Sequence, residues 1–456
     1  MLKPQYFQGI DDYYLFIYLF IMARQPEDLL NLLGRTGPMT GRDLARALGI
    51  SAATLSRTYA RHRDRVCRMG KTRGAQYALR RSIRGLETPL PVYAIGTQGT
   101  PSNIGELHPL TNGQHWFERR RGLTGPSVFY QGLPPYCIDM APQGFLGSGF
   151  AANHPDLGLP KRLSDWGDDD RLIATARRGE DCVGNLIIGQ ESMDRFLASP
   201  EPASEASYTT LAETASQGNA GSSAGGEQPK FTTCNGQHHV IVKFTSGDGS
   251  RADQRWRDLI TCEAIAARHI HSALGLVSAS RYLDEGNRRF LESIRFDRVG
   301  GRGRRGVLSL ASIADEWLGM RDNWIEAARR LLQEQLIDAE TAVRIRWLEA
   351  FGRLIANSDR HFGNLTFYAD ETLSPPRLEL APVYDMLPMS FAPTSTGVPP
   401  LVPYVQRPTA DVLDVWASAR MVAHAYWQEI EATTVIIKEF RQFAGEMEHA
   451  LLITQA

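Results

Sequence analysis

The hydrophobic positions between residues 25 and 82 predict three short helices followed by a β-hairpin. Leucines at positions 29, 30, 32 and 33 follow Pro26 at helical spacing, and glycines end that run. A second helix is predicted in TGRDLARALGI and a third in AATLSRTYARHRD, for which Ser51 is a suitable N-cap. The segment VCRMGKTRGAQYALR then predicts two strands, at 66–69 and 76–79. This order of elements is typical of a winged helix-turn-helix domain.

The same segment carries a strong local positive charge, which favours DNA as its partner. Between Arg35 and Arg81 there are 12 basic residues against 2 acidic ones, a net of 12 − 2 = +10, although the whole chain has a formal net charge of −1. Such a surplus is suited to neutralising phosphates. If Leu55 and Tyr59 point inward, the side chains left to contact DNA are those on the outer face of the third helix and on the hairpin tip: Ser56, Arg57, Arg61, Lys71 and Arg73. Docking to a protein is the alternative role for this domain.

After residue 86 the pattern changes from short β-like runs to long helices. The runs PVYAIG, HWFER and YCIDM precede an amphipathic stretch, DDDRLIATARRG, and the composition of residues 198–228 is typical of a linker. Strands are then predicted in HHVIVKF, ASRYLD and RRFLESIRF around a long helix, RDLITCEAIAARHIHSALG. Helices dominate from 310 to 364 and from 409 to 452. We therefore expect a small sheet-containing part followed by a larger helical part.

Composition places the chain among globular proteins of the cytoplasm. Hydrophobic residues make up 43% and charged residues 22% of the 456 positions, enough for two or three domains. The five cysteines form no CxxC pair, which argues against disulfides or a zinc site. The apolar run at 13–23 is too short to cross a bilayer, so no membrane association is expected. Residues 1–24 are interpreted as an extension, and translation from Met22 is an alternative.

Two segments have the features of a nucleotide phosphate site. Phosphoryl transfer from ATP requires a Gly-rich loop, a lysine on the phosphates, a carboxylate that orients the attacking hydroxyl, and an Asn/Asp pair that holds Mg²⁺. The loop is predicted in GSSAGGEQPKF, where Gly225 and Gly226 let backbone amides approach phosphate oxygens, although a Gly/Ser-rich linker has a similar sequence. The lysine is Lys243 in VIVKF, with Glu263 on the next helix as its expected partner. Two unrelated solvated charges are the alternative.

Two further segments supply the remaining parts. In NSDRHFGNLTF, Asp359 and Asn364 have the spacing of the kinase signature HRDLxxxN, with Asp359 as base and Asn364 as a Mg²⁺ ligand. Such a pair is expected about once by chance in a chain of this length, so the spacing alone decides nothing. Asp385 in APVYDMLP is the second expected Mg²⁺ ligand, although DFG is missing and a turn-capping aspartate is the alternative. His361 has no Cys/His cluster around it and is not expected to bind metal.

Together these segments resemble the HipA-like serine/threonine kinase family, most closely its YjjJ (HipH) branch. SSAGGEQPK resembles the family's S-x-x-G-x-Q-x-K loop, NSDRHFGN its D-x-H-x-x-N loop, APVYDMLP its magnesium segment and SIRFDR its R-F-D-R hinge strand. The resemblance implies a Ser/Thr protein kinase of the HipA toxin type that uses ATP and Mg²⁺. Several family members phosphorylate aminoacyl-tRNA synthetases and inhibit growth. Some inactivate themselves by phosphorylating a loop serine, which corresponds to Ser223 here, with Ser222 beside it.

The resemblance also assigns contacts and partners. The family's ATP contacts are carried over to Lys243, Asp385 and, near the hinge, Phe296. The expected ATP-binding set also includes Glu263, Gly225, Gly226 and His361. The hinge glutamate of the family pattern E-R-F-D-R is Ile294 here, which leaves adenine recognition on that side to backbone groups. Typical members have a separate DNA-binding antitoxin, HipB, whereas this chain is expected to carry its own DNA-binding domain.

The predicted fold class is α+β, with a winged helix-turn-helix followed by a bilobal protein-kinase-like fold. The predicted parts are an extension at 1–24, the DNA-binding domain at 25–82, a β-rich lobe with the Gly-rich loop at 83–295, and a helical lobe at 296–456. A transcription regulator whose kinase-like domain senses a nucleotide is the main alternative. A small-molecule phosphotransferase is another, but the SSAGGEQPK segment argues against it.

Overall fold

The structure, a computed structural model, describes residues 26–72, 74–199, 206–218, 228–236, 238–276, 278–369, 377–404 and 406–453. The predictions that lie outside these residues concern the apolar run at 13–23, Met22, Arg73, Ser222, Ser223, Gly225 and Gly226. The chain divides into two compact units, one of residues 1–91 and 104–134 and the other of residues 92–103 and 135–456. No helix in the described ranges is long and apolar enough to span a membrane. The boundaries predicted from the sequence at 24, 82 and 295 stay predictions.

The first unit begins, within its described part, with three helices and a small antiparallel sheet. The elements are α1 (Pro26–Thr36), β1 (Met39–Thr40), α2 (Gly41–Ala47), α3 (Ala52–Arg61), β2 (Val66–Met69) and β3 (Gln76–Leu79), and the strand order is β1-β3-β2. The side chains of Thr40 and Ser51 cap α2 and α3 by accepting hydrogen bonds from backbone N–H groups one turn ahead. Strand β1 is an element that the sequence analysis did not predict.

Apolar side chains from the helices and the hairpin form one core in this region. The buried members are Leu29, Leu30, Leu33, Leu44, Leu55 and Val66. Helix α3 ends at Arg61 rather than at the predicted Asp64, because His62 has left the helical conformation, with φ −119° and ψ 20°. The hairpin strands have the predicted bounds.

A second group of strands completes the first unit. Strand β5 (Pro101–Pro109) pairs with β6 (His115–Arg119), and β6 pairs with β7 (Val128–Tyr130), both antiparallel. Leu110, Trp116 and Phe129 pack against the side chains of Cys67 and Met69 on β2. The outer side of the β2–β3 hairpin is therefore supported by these strands.

The second unit opens with a mixed region of strands and short helices. Strand β4 (Leu90–Ile95) pairs antiparallel with β8 (Leu186–Ile188). The helices are α4 (Pro135–Met140), α5 (Gly144–Ser148), α6 (Phe150–Asn153), α7 (Asp168–Arg178) and α8 (Gln190–Ala198). The β-like interpretation of YCIDM was wrong, because these residues lie in α4. Their β propensity yields to a helix that begins at a proline and buries Cys137 and Met140.

A four-stranded antiparallel sheet follows, in the order β11-β12-β10-β9. Its strands are β9 (Lys230–Asn235), β10 (His238–Phe244), β11 (Ser280–Glu285) and β12 (Arg288–Ile294), and it packs against α9 (Tyr208–Gly218) and α10 (Arg251–Leu274). The linker interpretation of 198–228 was wrong at α9. Tyr208, Leu211 and Ala212 recur at helical spacing and pack on Phe231 and Phe290 of the sheet.

The rest of the second unit is mainly helical. Its elements are β13 (Arg298–Val299), β14 (Gly303–Arg304), β15 (Val307–Ser309), α11 (Leu310–Ile313), α12 (Trp324–Gln333), α13 (Ala339–Leu354), β16 (Thr366–Ala369), β17 (Leu378–Leu380), α14 (Leu413–Ala432) and α15 (Lys438–Ile453). Large buried side chains, including Trp324, Phe351, Tyr426 and Trp427, form one core that also includes residues of α10. The three short strands β15, β16 and β17 form a sheet in that order, and β16 follows directly after the loop that contains Asp359 and Asn364.

Candidate active site

Lys243 lies between two carboxylates that come from distant parts of the second unit. Its ammonium nitrogen on β10 donates to Oε1 and Oε2 of Glu263 on α10, at 2.6 and 2.7 Å, and also to Oδ1 of Asp385. The Lys243 side chain is 12% exposed and that of Glu263 is 8% exposed. The backbone N–H of Asp385 also donates to Glu263 Oε1, at 3.2 Å. These contacts thus connect strand β10, helix α10 and the segment that follows β17.

The charges of this cluster are unbalanced in a way that favours a further cation. Burial alone would lower the pKa of Lys243, but the carboxylates of Asp385 and Glu263 raise it above its usual range. Burial raises the pKa of Glu263 even though Lys243 faces it. For Asp385, burial is outweighed by Lys243 and by the more distant Lys230, which hold its pKa below the usual range. One ammonium therefore faces the buried carboxylate of Glu263 and the partly exposed carboxylate of Asp385, and a cation beside Asp385 would offset the excess negative charge.

Asn357 connects the segment of Asp385 with the loop of Asp359. Its side-chain nitrogen donates to the carbonyl of Asp385 at 3.1 Å, and its side-chain oxygen accepts from the backbone N–H of Asp359 at 2.9 Å. Asp385 has a φ of 56° and Ala356, just before Asn357, has a φ of 63°. Non-glycine residues adopt such angles rarely, and they do so where the surroundings impose them. The two segments are therefore held in a fixed geometry.

The loop from Asp359 to Asn364 is ordered by its own side chains. Nδ2 of Asn364 donates to the carbonyl of Asp359 at 2.7 Å, and the backbone N–H of Gly363 donates to Nδ1 of His361 at 3.0 Å. Nε2 of His361 is 3.9 Å from a carboxylate oxygen of Asp359. The Asp359 carboxylate is 47% exposed and remains accessible to a substrate.

A buried carboxylate on α13 anchors the same loop from behind. Glu349, 5% exposed, accepts from Nε of Arg360 and from Nε of Arg353, each at 3.0 Å. A Cβ atom on Gly352 would come within 2.5 Å of the Arg360 side chain, so only glycine allows this close approach. Arg360 therefore has a structural role in placing its neighbour, Asp359.

Several of the predicted site residues line one open cleft of about 740 Å³. Lys243, Asp359, His361, Asn364 and Asp385 are all among its lining residues. Glu263 lies behind Lys243 and does not line the cleft. Phe296 does not line it either, but its ring stacks on that of Tyr384, which does, with 6.0 Å between the ring centres.

The cleft residues that were missing from the sequence-based set include Gln228, Lys230 and Tyr384. Gln228 and Lys230 stand in the quoted segment SSAGGEQPK, so the signal was present, but only the glycines and Ser223 were assigned roles. Tyr384 donates from its hydroxyl to the carbonyl of Gly363 at 2.7 Å and thereby supports the loop from Asp359 to Asn364. Burial raises the pKa of Tyr384 above its usual range, so the phenol keeps its proton.

The charged residues at positions 295, 297 and 298 form a network of ion pairs that has a structural role. Asp297 accepts from Arg295 and Arg298 at 3.0 and 2.7 Å, and from the backbone N–H of Gly184 at 3.0 Å. Asp181 forms a second ion pair with each of the two arginines. Burial would raise the pKa of Asp297, but the two guanidinium groups hold it far below its usual range. This network fixes residues 181–184 against the turn that carries Phe296, which lies after the end of β12 at Ile294 rather than in the predicted strand.

The pair predicted to hold Mg²⁺ has suitable chemistry. Asn364 uses its side-chain nitrogen within the loop, which leaves the amide oxygen as its potential metal ligand, and Asp385 supplies a carboxylate. In the part of the chain that is described, no group of three or more His, Cys, Asp or Glu residues is arranged to hold a metal. Mg²⁺ is commonly held by only one or two protein ligands together with substrate phosphates and water, and the residues present fit that arrangement.

The side chains predicted to contact DNA, considered within the first unit, are exposed. Ser56, Arg57 and Arg61 lie on α3, and Lys71 lies in the β2–β3 connection. Leu55 is buried and Tyr59 is half-buried on the opposite side of α3. The outer face of α3 is therefore polar and basic.

Comparisons with known proteins agree on one family. Residues 86–197 match the family model of the YjjJ-like toxin, middle domain, and residues 222–449 match that of the HipA-like C-terminal domain. The toxin YjjJ of Escherichia coli strain K12 is 36% identical over 428 residues, which cover 90% of this chain and 94% of that protein. A chain from the complex of HipA, HipB and operator DNA of Shewanella oneidensis MR-1 is similar in fold, with a TM-score of 0.50 and 14% identity over 80% of this chain and 96% of that one. The chain therefore belongs to the HipA-like toxin family, in its YjjJ-like branch.

Proposed function

We propose that this protein is an ATP-dependent serine/threonine protein kinase. One observation carries the proposal: Lys243, Glu263 and Asp385 form a single ion-pair cluster, and Lys243 and Asp385 line the same cleft as Asp359 and Asn364. These are the residue types that phosphoryl transfer from ATP requires. The family membership supports the same conclusion.

The cationic side chains of the cleft are assigned to the ATP phosphates. Lys230 and Lys243 stand directly opposite each other on β9 and β10, and both line the cleft. Like charges in this position destabilise a sheet, and a polyanion between them would remove the repulsion. Glu263 positions Lys243. His361 is assigned to nucleotide binding, as is Phe296, whose ring stacks on that of Tyr384. Gly225 and Gly226 are assigned to the loop over the phosphates.

Asn364 and Asp385 would hold Mg²⁺, which supplies neutralisation of the phosphate charge when it is bound. Asp359 is assigned as the base: its exposed carboxylate accepts the proton of the attacking hydroxyl and orients that group towards the phosphates. The hydrogen bonds from Asn357 and Asn364 to the backbone of Asp359 keep the carboxylate in place while the cleft stays open to substrate.

The family membership supports proposals for the substrate class and the biological role. The relative of 36% identity is described as a toxin, so we propose that phosphorylation by this protein inhibits growth in the cytoplasm. A seryl or threonyl hydroxyl of a protein is the proposed acceptor, with an aminoacyl-tRNA synthetase as one candidate. Ser223, with Ser222 beside it, is the proposed site of self-phosphorylation, and a HipB-like antitoxin is a candidate partner.

Phosphoproteomics after induction tests the kinase proposal in cells. Wild type is compared with Asp385→Ala and with Asp411→Asn, an exposed aspartate outside the cleft that serves as the matched control. We expect the same serine or threonine sites to gain phosphate with wild type and Asp411→Asn, and not with Asp385→Ala. If protein phosphorylation does not differ between wild type and Asp385→Ala, the proposed function is wrong. A phosphorylated small molecule without protein sites would indicate the small-molecule alternative.

We also propose that residues 25–82 form a winged helix-turn-helix that binds DNA. The supporting observation is the exposed basic face of α3, with Arg57 and Arg61 one turn apart, near Lys71 in sequence on the hairpin connection. Arginines on such a helix can reach guanine edges or phosphates in the major groove. This role is compatible with kinase activity, and alone it would correspond to a transcription regulator that senses a nucleotide.

Selection of bound fragments from a random duplex library tests DNA recognition. Enrichment of a shared sequence motif by the full chain is expected. Binding without sequence preference would leave only a phosphate-binding role for the basic face, and failure to bind at low salt would contradict the proposal.

A further inference from the structure

A second, smaller pocket of about 270 Å³ lies beside the β13–β14 hairpin. Its walls come from residues 180–181, the end of α8, strands β9 and β10, and residues 298–304. Lys243, Asp359, Asn364 and Asp385 do not line it. The chemistry proposed for the cleft therefore does not account for this pocket.

Arg304, on a wall of this pocket, is a buried cation that forms no ion pair with any described residue. It is 5% exposed, and its Nη2 donates to the carbonyl of Glu180. Its Nη1 is buried and has no hydrogen-bond partner, and no carboxylate of the described segments lies within 4.0 Å of its guanidinium. A buried charge of this kind is costly unless a partner neutralises it.

Arg302 brings a second guanidinium to the same place. Both guanidinium groups lie over the ring of Phe196. The distance from Cζ to the ring centre is 4.6 Å for Arg302 and 4.9 Å for Arg304. Arg302 donates to the carbonyls of Phe196 and Ser199, and within the described ranges it also lacks an ion pair. Two positive groups therefore meet at one aromatic ring, and within the described part of the chain neither forms an ion pair, although the carboxylates of Glu180 and Asp181 line the same pocket.

The neighbouring arginines, Arg295 and Arg298, do form ion pairs. Arg295 and Arg298 are each paired with Asp181 and Asp297. Burial, together with Arg298 and Arg295, lowers the pKa of Arg304 to about 9. Asp181 and Asp297 act in the opposite direction, but their ion pairs are with Arg295 and Arg298 rather than with Arg304.

We infer that this pocket binds a small phosphate-class oxyanion, either inorganic phosphate or the phosphate group of a monoester, through Arg304 and Arg302. The planar donors of guanidinium groups suit such an oxyanion, and the hydroxyls of Thr232 and Thr233 on β9 line the same pocket. The carboxylate of Glu180 lines it too and has one buried oxygen without a hydrogen-bond partner. Glu180 therefore opposes the anion and limits its affinity.

Calorimetric titration of the full chain with inorganic phosphate, in a buffer free of other oxyanions, tests the site. Saturable binding is expected for wild type and for Lys243→Met, which alters only the nucleotide cleft. Arg304→Gln and Arg302→Gln are each expected to weaken binding about 10-fold or more, because each removes charge-assisted hydrogen bonds. Glu180→Gln is expected to tighten it. A parallel titration with phosphoserine identifies the source, since tighter binding than that of phosphate indicates a monoester and weaker binding indicates the free ion.

Two results would overturn the inference: no saturable binding at millimolar phosphate, or binding that Lys243→Met abolishes while both arginine variants retain it. The second result would place the phosphate in the nucleotide cleft. If Arg304→Gln fails to fold by circular dichroism, the half-buried Arg302→Gln decides alone. None of these readouts depends on kinase activity, so failure of the proposed function would leave the test intact.

Discussion

Lys230 and Lys243 occupy directly opposite positions on the antiparallel strands β9 and β10, at the wall of one cleft. Lys243 is neutralised by Glu263 and Asp385, whereas Lys230 has no ion pair within 4.0 Å among the described residues. Two lysines in directly opposite positions do not stabilise a sheet, because their charges repel. The phosphates of a bound nucleotide would instead interact favourably with both ammonium groups.

Replacing Lys230 should therefore separate stability from ligand binding. For Lys230→Met we expect an unfolding temperature no lower than that of wild type without nucleotide, because a like-charge pair is removed. Affinity for Mg²⁺–ATP should fall about 10-fold or more, because a charged partner of the phosphates is lost. The nucleotide-induced shift in unfolding temperature measures this. Lys161→Met, at an exposed loop position, is the control, and equal shifts in both variants would contradict the assignment.

The buried pairing of Asp297 with Arg295 and Arg298 should be important for stability. Asp297→Asn leaves two buried guanidinium groups with one fewer carboxylate, and removing one member of a buried pair costs about 3–5 kcal/mol. Urea unfolding of the variant should show a loss of that order. Asp411→Asn, at the surface, should stay within about 0.5 kcal/mol of wild type. A similar small change for Asp297→Asn would show that the network contributes little.

Asp258 on α10 gives a prediction about pH. It is fully buried, its Oδ1 accepts from the backbone N–H of Ile437 and from Gln254, and its Oδ2 has no hydrogen-bond partner. Burial raises its pKa to about 6, although Arg255 and Arg289 act in the opposite direction. The folded-state pKa lies above the unfolded value of about 3.9, so the favourable contribution is present below about pH 4 and is lost as pH rises through 6.

The variant Asp258→Asn removes the ionised form. We expect its free energy of unfolding to exceed that of wild type by about 2–3 kcal/mol at pH 8, and to differ little at pH 4. Chemical denaturation at both pH values measures the difference. A variant that is less stable than wild type at pH 8 would show that the carboxylate is net favourable there.

On DNA, Arg57→Ala and Arg61→Ala should each weaken binding of the full chain. If the guanidinium contacts a phosphate, the slope of log K against log salt should fall by about 1 per variant, and if it contacts a base, affinity should fall only for the preferred sequence. Arg344→Ala, on α13 in a pair with Glu340, is the matched control. Unchanged affinity and salt slope in both α3 variants would refute the proposed DNA-binding face.

The elements that were predicted well have local signals. The bounds of β2 and β3 and the cap at Ser51 follow from turn and capping residues within a few positions. The elements that were missed depend on tertiary contacts. YCIDM is helical because Cys137 and Met140 are buried together, and α9 forms where Tyr208 can pack on the sheet.

The same distinction applies to the site. Motif spacing suggested Asp359 and Asn364, and the local sequence suggested Lys243 and Asp385; the fold brings all four to one cleft. Asn357 could not be recognised as a connecting residue, because its role depends on a hydrogen bond to a carbonyl 28 positions away. The opposition of Lys230 and Lys243 likewise requires the strand register, which the sequence alone did not specify.

The most direct test of the central claim is transfer of the γ-phosphoryl group of ATP to protein by the purified full chain, measured for wild type, Asp359→Asn and Asp411→Asn. The account predicts incorporation by wild type and by Asp411→Asn at similar rates, and a rate lower by about 10²–10⁴-fold for Asp359→Asn, since the base is lost. Equal incorporation by wild type and Asp359→Asn, or none by wild type with Mg²⁺ present, would contradict it.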